Sequence, residues 1–305
     1  MNLRHLKYFV ATAESGQVSR AASALAIAQS SVTAAIKELE ADLGVILFAR
    51  SSQGMELTDV GREFLAASRE ILEKVDDARN LTKRKSGISG EITLAATYTV
   101  IGYFLPFHLD RLARLHPELT IRVSELGRES IEESLLTNRL DLAVLLTSNL
   151  SNPEIEYETL LRSVRRVWVP SGHKFLSHGK TTFEEISKED YIMLTIDESA
   201  STTMKYWSKT NVRPKTILRT SSVEAVRSMV ANGRGVTILS DMVYRPWSLE
   251  TKRIETVSTD IDIPSMDLGI AWRRGSEFSP AAAVLVDYFK QSFAAPQMAQ
   301  LSSRK

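Results

Sequence analysis

Residues 18–50 read VSRAASALAIAQSSVTAAIKELEADLGVILFAR, and this stretch decides how the N-terminal part of the chain folds. Two groups of apolar residues recur in it at helical spacing: Val18, Ala21, Ala22 and Leu25, then Val32, Ile36, Leu39 and Leu43. Gly44 follows the second group, where a helix commonly ends in a left-handed residue. Two short helices joined by a tight turn form a helix-turn-helix, whose second helix can enter the major groove of DNA.

The flanking segments extend this module. Residues 3–14 have helical periodicity and end before Gly16, so they predict a first helix. Residues 45–50 are rich in strand formers, SSQG turns the chain, and residues 55–57 can return as a second strand. This hairpin predicts a wing beside the second helix of the helix-turn-helix.

A long helix is predicted for residues 60–85, with Thr58 and Asp59 as its caps. Its apolar residues alternate spacings of three and four, as in a coiled coil: Val60, Phe64, Ala67, Ile71, Val75, Ala78 and Leu81. A dimer explains this seam most simply, and a helix packed on its own domain is the alternative. Residues 83–90, KRKSGISG, predict a linker.

Composition places the chain among ordinary globular proteins. It has 305 residues, of which 43% are hydrophobic and 25% charged, so two domains are expected. No apolar run approaches a membrane span, and the N-terminus has no signal-peptide core. The sequence contains no cysteine, which excludes disulfides and thiol nucleophiles. We expect a cytoplasmic protein without membrane association.

The charge balance does not favour nucleic acid by itself. The net charge is +1, from 38 basic and 37 acidic residues. The first sixty residues carry five basic side chains against six acidic ones: Arg4, Lys7, Arg20, Lys37 and Arg50 against Glu14, Glu38, Glu40, Asp42, Glu56 and Asp59. A basic domain is the usual electrostatic footprint of a DNA-binding protein. Binding to DNA must therefore rest on the local pattern.

From residue 91 onward, strands and helices alternate. Strands are predicted at 92–96, 119–125, 140–146, 166–169, 191–195, 216–219, 236–239 and 268–272, and helices at 102–116, 129–138, 202–210, 223–231 and 279–293. Such βαβ repetition predicts a parallel sheet with helices on both faces. Residues 294–305 are predicted to be a frayed tail.

Short motifs follow one another along both halves of the chain. The N-terminal motifs are LKYF (6–9), SRAA (19–22), QSSVT (29–33), IKELE (36–40) and LTDVG (57–61). Those of the second half are GEI (90–92), HPEL (116–119), LDLA (140–143) and VANGRGV (230–236). Together these motifs resemble the LysR-type transcriptional regulators over about residues 1–293.

This resemblance implies an α/β architecture with an N-terminal winged helix-turn-helix, a long dimerisation linker helix and a two-lobed effector domain similar to periplasmic binding proteins. We place the DNA-binding domain at residues 1–58, the linker helix and hinge at 59–89, and the effector domain at 90–293. Lobe I covers about 90–164 and 268–293, lobe II about 165–267, and 294–305 form the tail. The implied partners are operator DNA, a small-molecule effector and a second copy of the chain, as a homodimer or homotetramer.

The sequence departs from the family pattern at two positions. Ala28 stands where the family usually has serine, and Ala34 where it usually has arginine. Loss of a helix N-cap side chain costs about 1 kcal/mol, unless Ser30 or Ser31 takes the role. Because Ala34 lacks the arginine side chain of the family, the operator preference of relatives does not transfer at that position.

Candidate DNA contacts lie on and around the second helix of the helix-turn-helix. Gln29 can bond adenine, and the hydroxyls of Ser30, Ser31 and Thr33 can reach bases or phosphates. Lys37 is expected to contact phosphate, with Arg20 and Arg50 as further cationic candidates. The alternatives are a helix cap for Ser31 and an intramolecular ion pair for Arg20.

Candidate effector contacts follow predicted strands or open predicted helices, where ligands bind in α/β proteins. They are Thr97, Tyr98, Thr99, Arg128 and Thr147 in lobe I and Ser199, Ser201, Thr202 and Ser222 in lobe II. The family resemblance places Thr99, Arg128, Ser201 and Thr202 in the effector cleft. Helix starts and one arginine favour a small anion, such as a carboxylate. The alternatives are that the hydroxyls only cap helices and that Arg128 pairs with Glu129 and Glu132.

An enzyme and a small-molecule-binding protein are the two other functional classes. The five histidines have no zinc spacing, and there is no Gly-x-Ser-x-Gly turn, Walker loop or dinucleotide fingerprint, so neither catalytic residues, a metal site nor a cofactor is predicted. The remaining alternative is a cytoplasmic small-molecule-binding protein whose N-terminal helices serve assembly only.

Overall fold

The computed structural model describes residues 1–51, 54–81 and 88–293. The chain divides into two compact units, Met1–Ile88 with Tyr288–Lys305, and Ser89–Asp287. The predicted boundaries near residues 58 and 89 stay predictions at the level of individual residues.

The first unit begins with a helical module and a hairpin. Its elements are α1 (Leu3–Ser15), α2 (Val18–Ala24), α3 (Gln29–Leu43), β1 (Phe48–Ser51), β2 (Gly54–Leu57) and α4 (Asp59–Leu81). The predicted apolar periodicity produces one core, in which Phe9, Val32 and Leu39 are fully buried. The ring centroid of Phe9 lies 5.2 Å from that of Phe48 and 5.1 Å from that of Phe64. The predicted winged helix-turn-helix is confirmed.

Two terminal signals read from the sequence are also confirmed. Gly44 ends α3 in the left-handed conformation, with φ of 68°. Thr58 caps α4, because the Gly61 amide donates to Thr58 Oγ1 over 2.9 Å. Glycine is needed at position 61, since a Cβ there would lie 2.1 Å from the carbonyl oxygen of Leu47.

The apolar seam of α4 is largely uncovered. Val60 is 47% exposed and Ile71 39% exposed, whereas Phe64 packs on Phe9. The predicted extension of the helix to residue 85 lies outside the described residues, as does the side chain of Leu81. The exposed seam has the character that a dimerisation helix requires.

The second unit has mixed α/β structure. Its helices are α5 (Tyr98–Tyr103), α6 (Leu105–Leu115), α7 (Arg128–Leu136), α8 (Phe183–Ser187), α9 (Ser199–Trp207), α10 (Val223–Ala231) and the first eight residues of α11 (Pro280–Phe293), whose remainder from Tyr288 belongs to the first unit. Its strands are β3 (Gly90–Ala96), β4 (Leu119–Glu125), β5 (Leu142–Leu146), β6 (Ile155–Ser163), β7 (Arg165–Pro170), β8 (Lys180–Thr181), β9 (Asp190–Leu194), β10 (Lys215–Thr220), β11 (Thr237–Ser240), β12 (Ile254–Thr259) and β13 (Met266–Arg273).

These strands form two lobes. Lobe I is built on a five-stranded sheet in the order β4-β3-β5-β13-β6. Lobe II is built on the sheet β11-β7-β12-β8 and the parallel pair β10-β9. Strand β7 is buried on both faces, because Val167 and Val169 belong to one core cluster and Trp168 to another. The alternation of side chains along a strand produces this division.

The predicted parallel sheet is only partly present, because both main sheets also contain antiparallel pairs. Strand β3 pairs in parallel with β4 and β5, but β13 runs antiparallel to β5 and β6. Strand β7 is likewise antiparallel to β11 and β12. The chain leaves lobe I through β6 and returns beside it as β13, so the two passages run in opposite directions.

Element boundaries differ from the prediction in a few places. The helix expected at residues 102–116 is divided into α5 and α6 at Phe104, because Pro106 lacks the amide hydrogen that would continue one helix. Strands β6, β8 and β12 and the short helix α8 were not predicted. Among the described helices, none is long and apolar enough to cross a membrane.

Candidate functional site

Helix α3 presents a polar surface opposite its buried face. Val32, Ala35, Ile36 and Leu39 are buried, and they hold the helix against the core of the module. Gln29, Ser30, Ser31 and Lys37 are exposed. The helical period therefore places the predicted contacts at the surface of the helix-turn-helix, within reach of a groove.

The first turn of α3 has no side-chain cap. Ala28 is the N-cap residue and makes no side-chain hydrogen bond, as its identity predicts. The Thr33 hydroxyl donates to the carbonyl oxygen of Gln29 over 3.0 Å. The Ser31 amide donates to the carbonyl oxygen of Ala28 over 3.0 Å. The start of α3 carries the positive end of the helix dipole.

The acidic residues of α3 are engaged elsewhere. Glu40 Oε1 accepts hydrogen bonds from the amides of Leu47 at 2.7 Å and Phe48 at 3.1 Å. Glu38 lies 3.2 Å from His5 Nε2, and Asp42 contacts the N-terminal amine. Hydrogen bonding and charge from that amine lower the pKa of Asp42. Residues 29–37 contain no carboxylate, so the local charge at the start of α3 is more favourable than the total suggests.

Two of the predicted DNA contacts have side chains outside the described part of the structure. These are Arg20 on α2 and Arg50 on β1, and the turn at residues 52–53 is also outside it. Contact of both arginines with DNA stays a prediction.

A small cavity lies between the two lobes. Its volume is about 20 Å³, which holds about one water molecule. It is lined by Thr99, Leu146, Arg165, Leu194, Asp197, Ser199, Thr202, Thr203, Ile238, Leu239, Ser240, Val243 and Met266. The structure thus brings the predicted Thr99, Ser199 and Thr202 together from both lobes.

The two charged residues of this cavity, Arg165 and Asp197, were not predicted from the sequence. Arg165 begins β7, where burial lowers the pKa of its guanidinium, and it donates to the carbonyl of Pro264. Asp197 belongs to the short 3-10 turn Ile196–Glu198 that follows β9. The segment TIDES, residues 195–199, could have indicated Asp197 as a site residue, because its two acidic residues precede the helix predicted at residues 202–210.

Asp197 connects the two lobes. Its Oδ2 accepts hydrogen bonds from the Thr99 amide at 2.7 Å and from Thr99 Oγ1 at 2.5 Å. Asp197 and Glu198 both have left-handed backbone conformations, with φ of 49° and 62°. Such conformations cost roughly 1–2 kcal/mol for a residue other than glycine, and aspartate tolerates them better than most.

Arg128 is surrounded by carboxylates. Its Nε donates to Glu198 over 2.6 Å, Nη1 contacts Glu132, and Nη2 lies 3.6 Å from Glu129. The hydrogen bond that Arg128 donates to Glu198 is the main reason that the pKa of Arg128 is raised. The ion pairs of Arg128 with Glu129 and Glu132, which were the predicted alternative to an anion site, are therefore present. Arg128 does not line the cavity.

The other predicted effector contacts have local roles. Thr147 Oγ1 lies 3.2 Å from Thr159 Oγ1, Ser201 donates to the carbonyl of Glu198, and Ser222 caps α10 by accepting from Ala225. Tyr98 is 38% exposed, and Thr97 is buried with its hydroxyl unpartnered among the described residues. Helix capping accounts for Ser222, as the alternative interpretation proposed.

A second contact joins the lobes beside the first. The Tyr103 hydroxyl on α5 donates to Glu224 on α10 over 3.2 Å, and Glu224 also pairs with the buried Arg227. Arg245 lies over the Tyr103 ring at 5.5 Å. Together with the Thr99–Asp197 bonds, these contacts hold the cleft nearly closed.

Known proteins resemble the chain along its length. A family model described as the LysR substrate binding domain matches residues 85–294, and one described as a bacterial regulatory helix-turn-helix protein of the lysR family matches residues 3–62. The RuBisCO operon transcriptional regulator of Allochromatium vinosum is 27% identical, over 94% of this chain and 95% of that protein. YnfL of Escherichia coli, an uncharacterized transcriptional regulator, is also 27% identical, over 92% and 95%. Among solved structures, HinK from Pseudomonas aeruginosa superposes with a TM-score of 0.63 at 27% identity, covering 96% of this chain and 98% of that one.

Proposed function

The chain belongs to the LysR family of transcriptional regulators, and we propose that it recognises operator DNA through the exposed first turns of α3. The observation that carries this proposal is the division of α3 into a buried apolar face and an exposed face free of carboxylates over residues 29–37. The helix-turn-helix and the effector-binding domain are those of a regulator that binds DNA and a small molecule.

On DNA, the exposed residues of α3 divide into two roles. Gln29 reads a base edge, with Ser30, Ser31 and Thr33 contacting bases or phosphates near it. Lys37, one turn beyond Thr33, binds phosphate, as do Arg20 and Arg50. A module with so few cations binds weakly alone, so its affinity comes from pairing with a second copy.

The effector binds between the two lobes, next to Thr99, Ser199 and Thr202. Their convergence on one cavity from both lobes supports this site. A volume of about 20 Å³ admits only a water molecule, so the lobes must open before an effector enters. Its binding can control transcription only if it favours one lobe arrangement over the other.

Three further properties follow from this assignment. The protein acts in the cytoplasm, where operator DNA is found, and it requires no cofactor besides its effector. It regulates without catalysing a reaction, as the family of transcriptional regulators that it resembles does.

Selection of a preferred duplex from a random-sequence library, followed by gel-shift titration, tests the DNA-binding role. We expect Gln29→Ala to lower discrimination between the selected and a mismatched duplex by about 1–3 kcal/mol. Lys37→Ala should weaken binding to both duplexes alike and reduce the salt slope by about one.

Lys180→Ala is the matched control, because Lys180 is an exposed lysine of the second unit. It should leave both affinities and the salt slope unchanged. If Gln29→Ala discriminates between the duplexes as well as the unmodified protein does, base reading by Gln29 is excluded.

A further inference from the structure

The Asp197 side chain occupies donors that are suited to a carboxylate ligand. One oxygen, Oδ2, accepts from both the amide and the hydroxyl of Thr99. Hydrogen bonds to an ionised carboxylate are charge-assisted and stronger than those between neutral groups. Thr99 is buried, with 3% of its surface exposed, so these donors need an acceptor whenever the cleft is closed.

Glu198 makes the equivalent contact with the neighbouring cation. Its Oε1 lies 2.6 Å from Arg128 Nε, and Arg128 is the residue that the sequence singled out as an anion partner. Two consecutive carboxylates of one lobe II turn therefore accept from the Thr99 donors and from Nε of Arg128 in lobe I. The contacts span 98 and 70 residues of sequence, so they are formed by lobe closure and not by local folding.

The same cavity contains a cation, Arg165, that forms no salt bridge with Asp197 or Glu198. Arg165 lines the cavity together with Thr99 and Asp197. Within the described residues, Arg165 has a hydrogen bond to a carbonyl oxygen but no salt bridge. Arg165 adds a positive charge to the cavity, which the nearby charge of Asp267 partly offsets.

We propose that Asp197 is a built-in substitute for the effector, and that the effector carries a carboxylate which displaces Asp197 from Thr99. This inference rests on the effector cleft proposed above. Glu198 releases Arg128 in the same movement, because the two acidic residues are adjacent in one turn. In the closed cleft, Asp197 then occupies the position of the effector carboxylate. The effector must compete with the protein's own turn, Ile196–Glu198.

Competition of this kind weakens the apparent affinity for any free carboxylate. The apparent dissociation constant equals the intrinsic one divided by the fraction of molecules in which Asp197 leaves the site free. If Asp197 occupies Thr99 in about nine molecules of ten, removal of its side chain strengthens carboxylate binding about tenfold.

Chemical rescue with acetate tests the proposal in the full-length chain. The methyl carbon and carboxylate of acetate correspond to the methylene carbon and carboxylate of the aspartate side chain. Glycine adopts the left-handed conformation at position 197 without strain. We expect sodium acetate to raise the Tm of Asp197→Gly saturably, relative to sodium chloride at equal ionic strength. The apparent Kd for acetate should be at least about tenfold lower than for the unmodified protein.

Two controls separate this effect from general stabilisation. Asn138→Gly relieves a similar left-handed residue, with φ of 54°, outside the cavity and should gain no acetate response. Asp197→Gly combined with Thr99→Val should lose most of the response, because Thr99 Oγ1 is gone. Equal acetate shifts in all variants overturn the proposal.

A milder variant covers the case in which Asp197→Gly does not fold. Asp197→Asn keeps the side-chain volume but competes less well for the Thr99 donors, so we expect a smaller acetate response than for glycine. If neither variant responds to acetate more than the unmodified protein, Asp197 is not a substitute for a carboxylate. Gel-shift binding of DNA is measured separately, so that outcome leaves the DNA-binding function standing.

Discussion

His108 is a buried histidine whose protonation opposes folding. It lies on α6 with 7% of its surface exposed, and burial, with a smaller effect of the Arg111 charge, lowers its pKa to about 4. The unfolded chain, with an ordinary pKa of 6.5, binds the proton first as pH falls. Stability contributed by neutral His108 is therefore complete above pH 6.5 and is lost between pH 6.5 and pH 4.

This histidine predicts a measurable pH dependence of stability. We expect its contribution to the free energy of unfolding to fall by about 2 kcal/mol between pH 7 and pH 5. His108→Leu should remove that part of the dependence in urea unfolding, whereas replacement of the exposed His178 by leucine should leave it intact. Identical pH slopes for His108→Leu and the unmodified protein would contradict the assigned pKa.

At the scale of elements, Glu40 connects α3 to the wing. Its Oε1 is the acceptor for the amides of Leu47 and Phe48, where the chain enters β1. We expect Glu40→Ala to destabilise this junction by about 2 kcal/mol, because two buried amides lose a charged acceptor. Amide hydrogen exchange at Leu47 and Phe48 should accelerate accordingly.

The neighbouring acidic residue provides the control for Glu40. Glu38 has 63% of its side chain exposed and pairs with His5, so Glu38→Ala should cost less than about 1 kcal/mol. Glu40→Gln keeps an acceptor oxygen and should retain most of the protection. Unchanged exchange in Glu40→Ala would show that other contacts hold the wing.

At the scale of the whole molecule, the seam of α4 is expected to determine self-association. A charge at the 39% exposed Ile71 should disrupt a helix pair, so Ile71→Glu should shift sedimentation toward monomer. Arg69→Glu introduces the same carboxylate on another face of α4 and should leave assembly intact. We expect Ile71→Glu to bind a two-half-site operator on the order of a hundredfold more weakly, because the modules no longer bind as a pair. Unaltered sedimentation of Ile71→Glu would move the interface to another surface.

The sequence by itself determined the features that depend on local pattern. Apolar spacing in residues 18–50 specifies α2 and α3, and Gly44 and Thr58 mark helix ends. Ala28 predicts that α3 has no side-chain cap. These signals act within one helix or turn, where a residue interacts with neighbours three or four positions away. The alternation of strands and helices after residue 91 predicts an α/β domain for the same reason.

The tertiary structure alone decided how distant elements meet. It made the lobe I sheet mixed, because β13 returns beside β6 in the opposite direction. It placed Arg165 and Asp197 in the cleft and gave Arg128 the carboxylate of Glu198, a residue 70 positions away. A side chain's charge can be read from the sequence, but its partner is set by lobe closure, which brings together residues that have no local relationship.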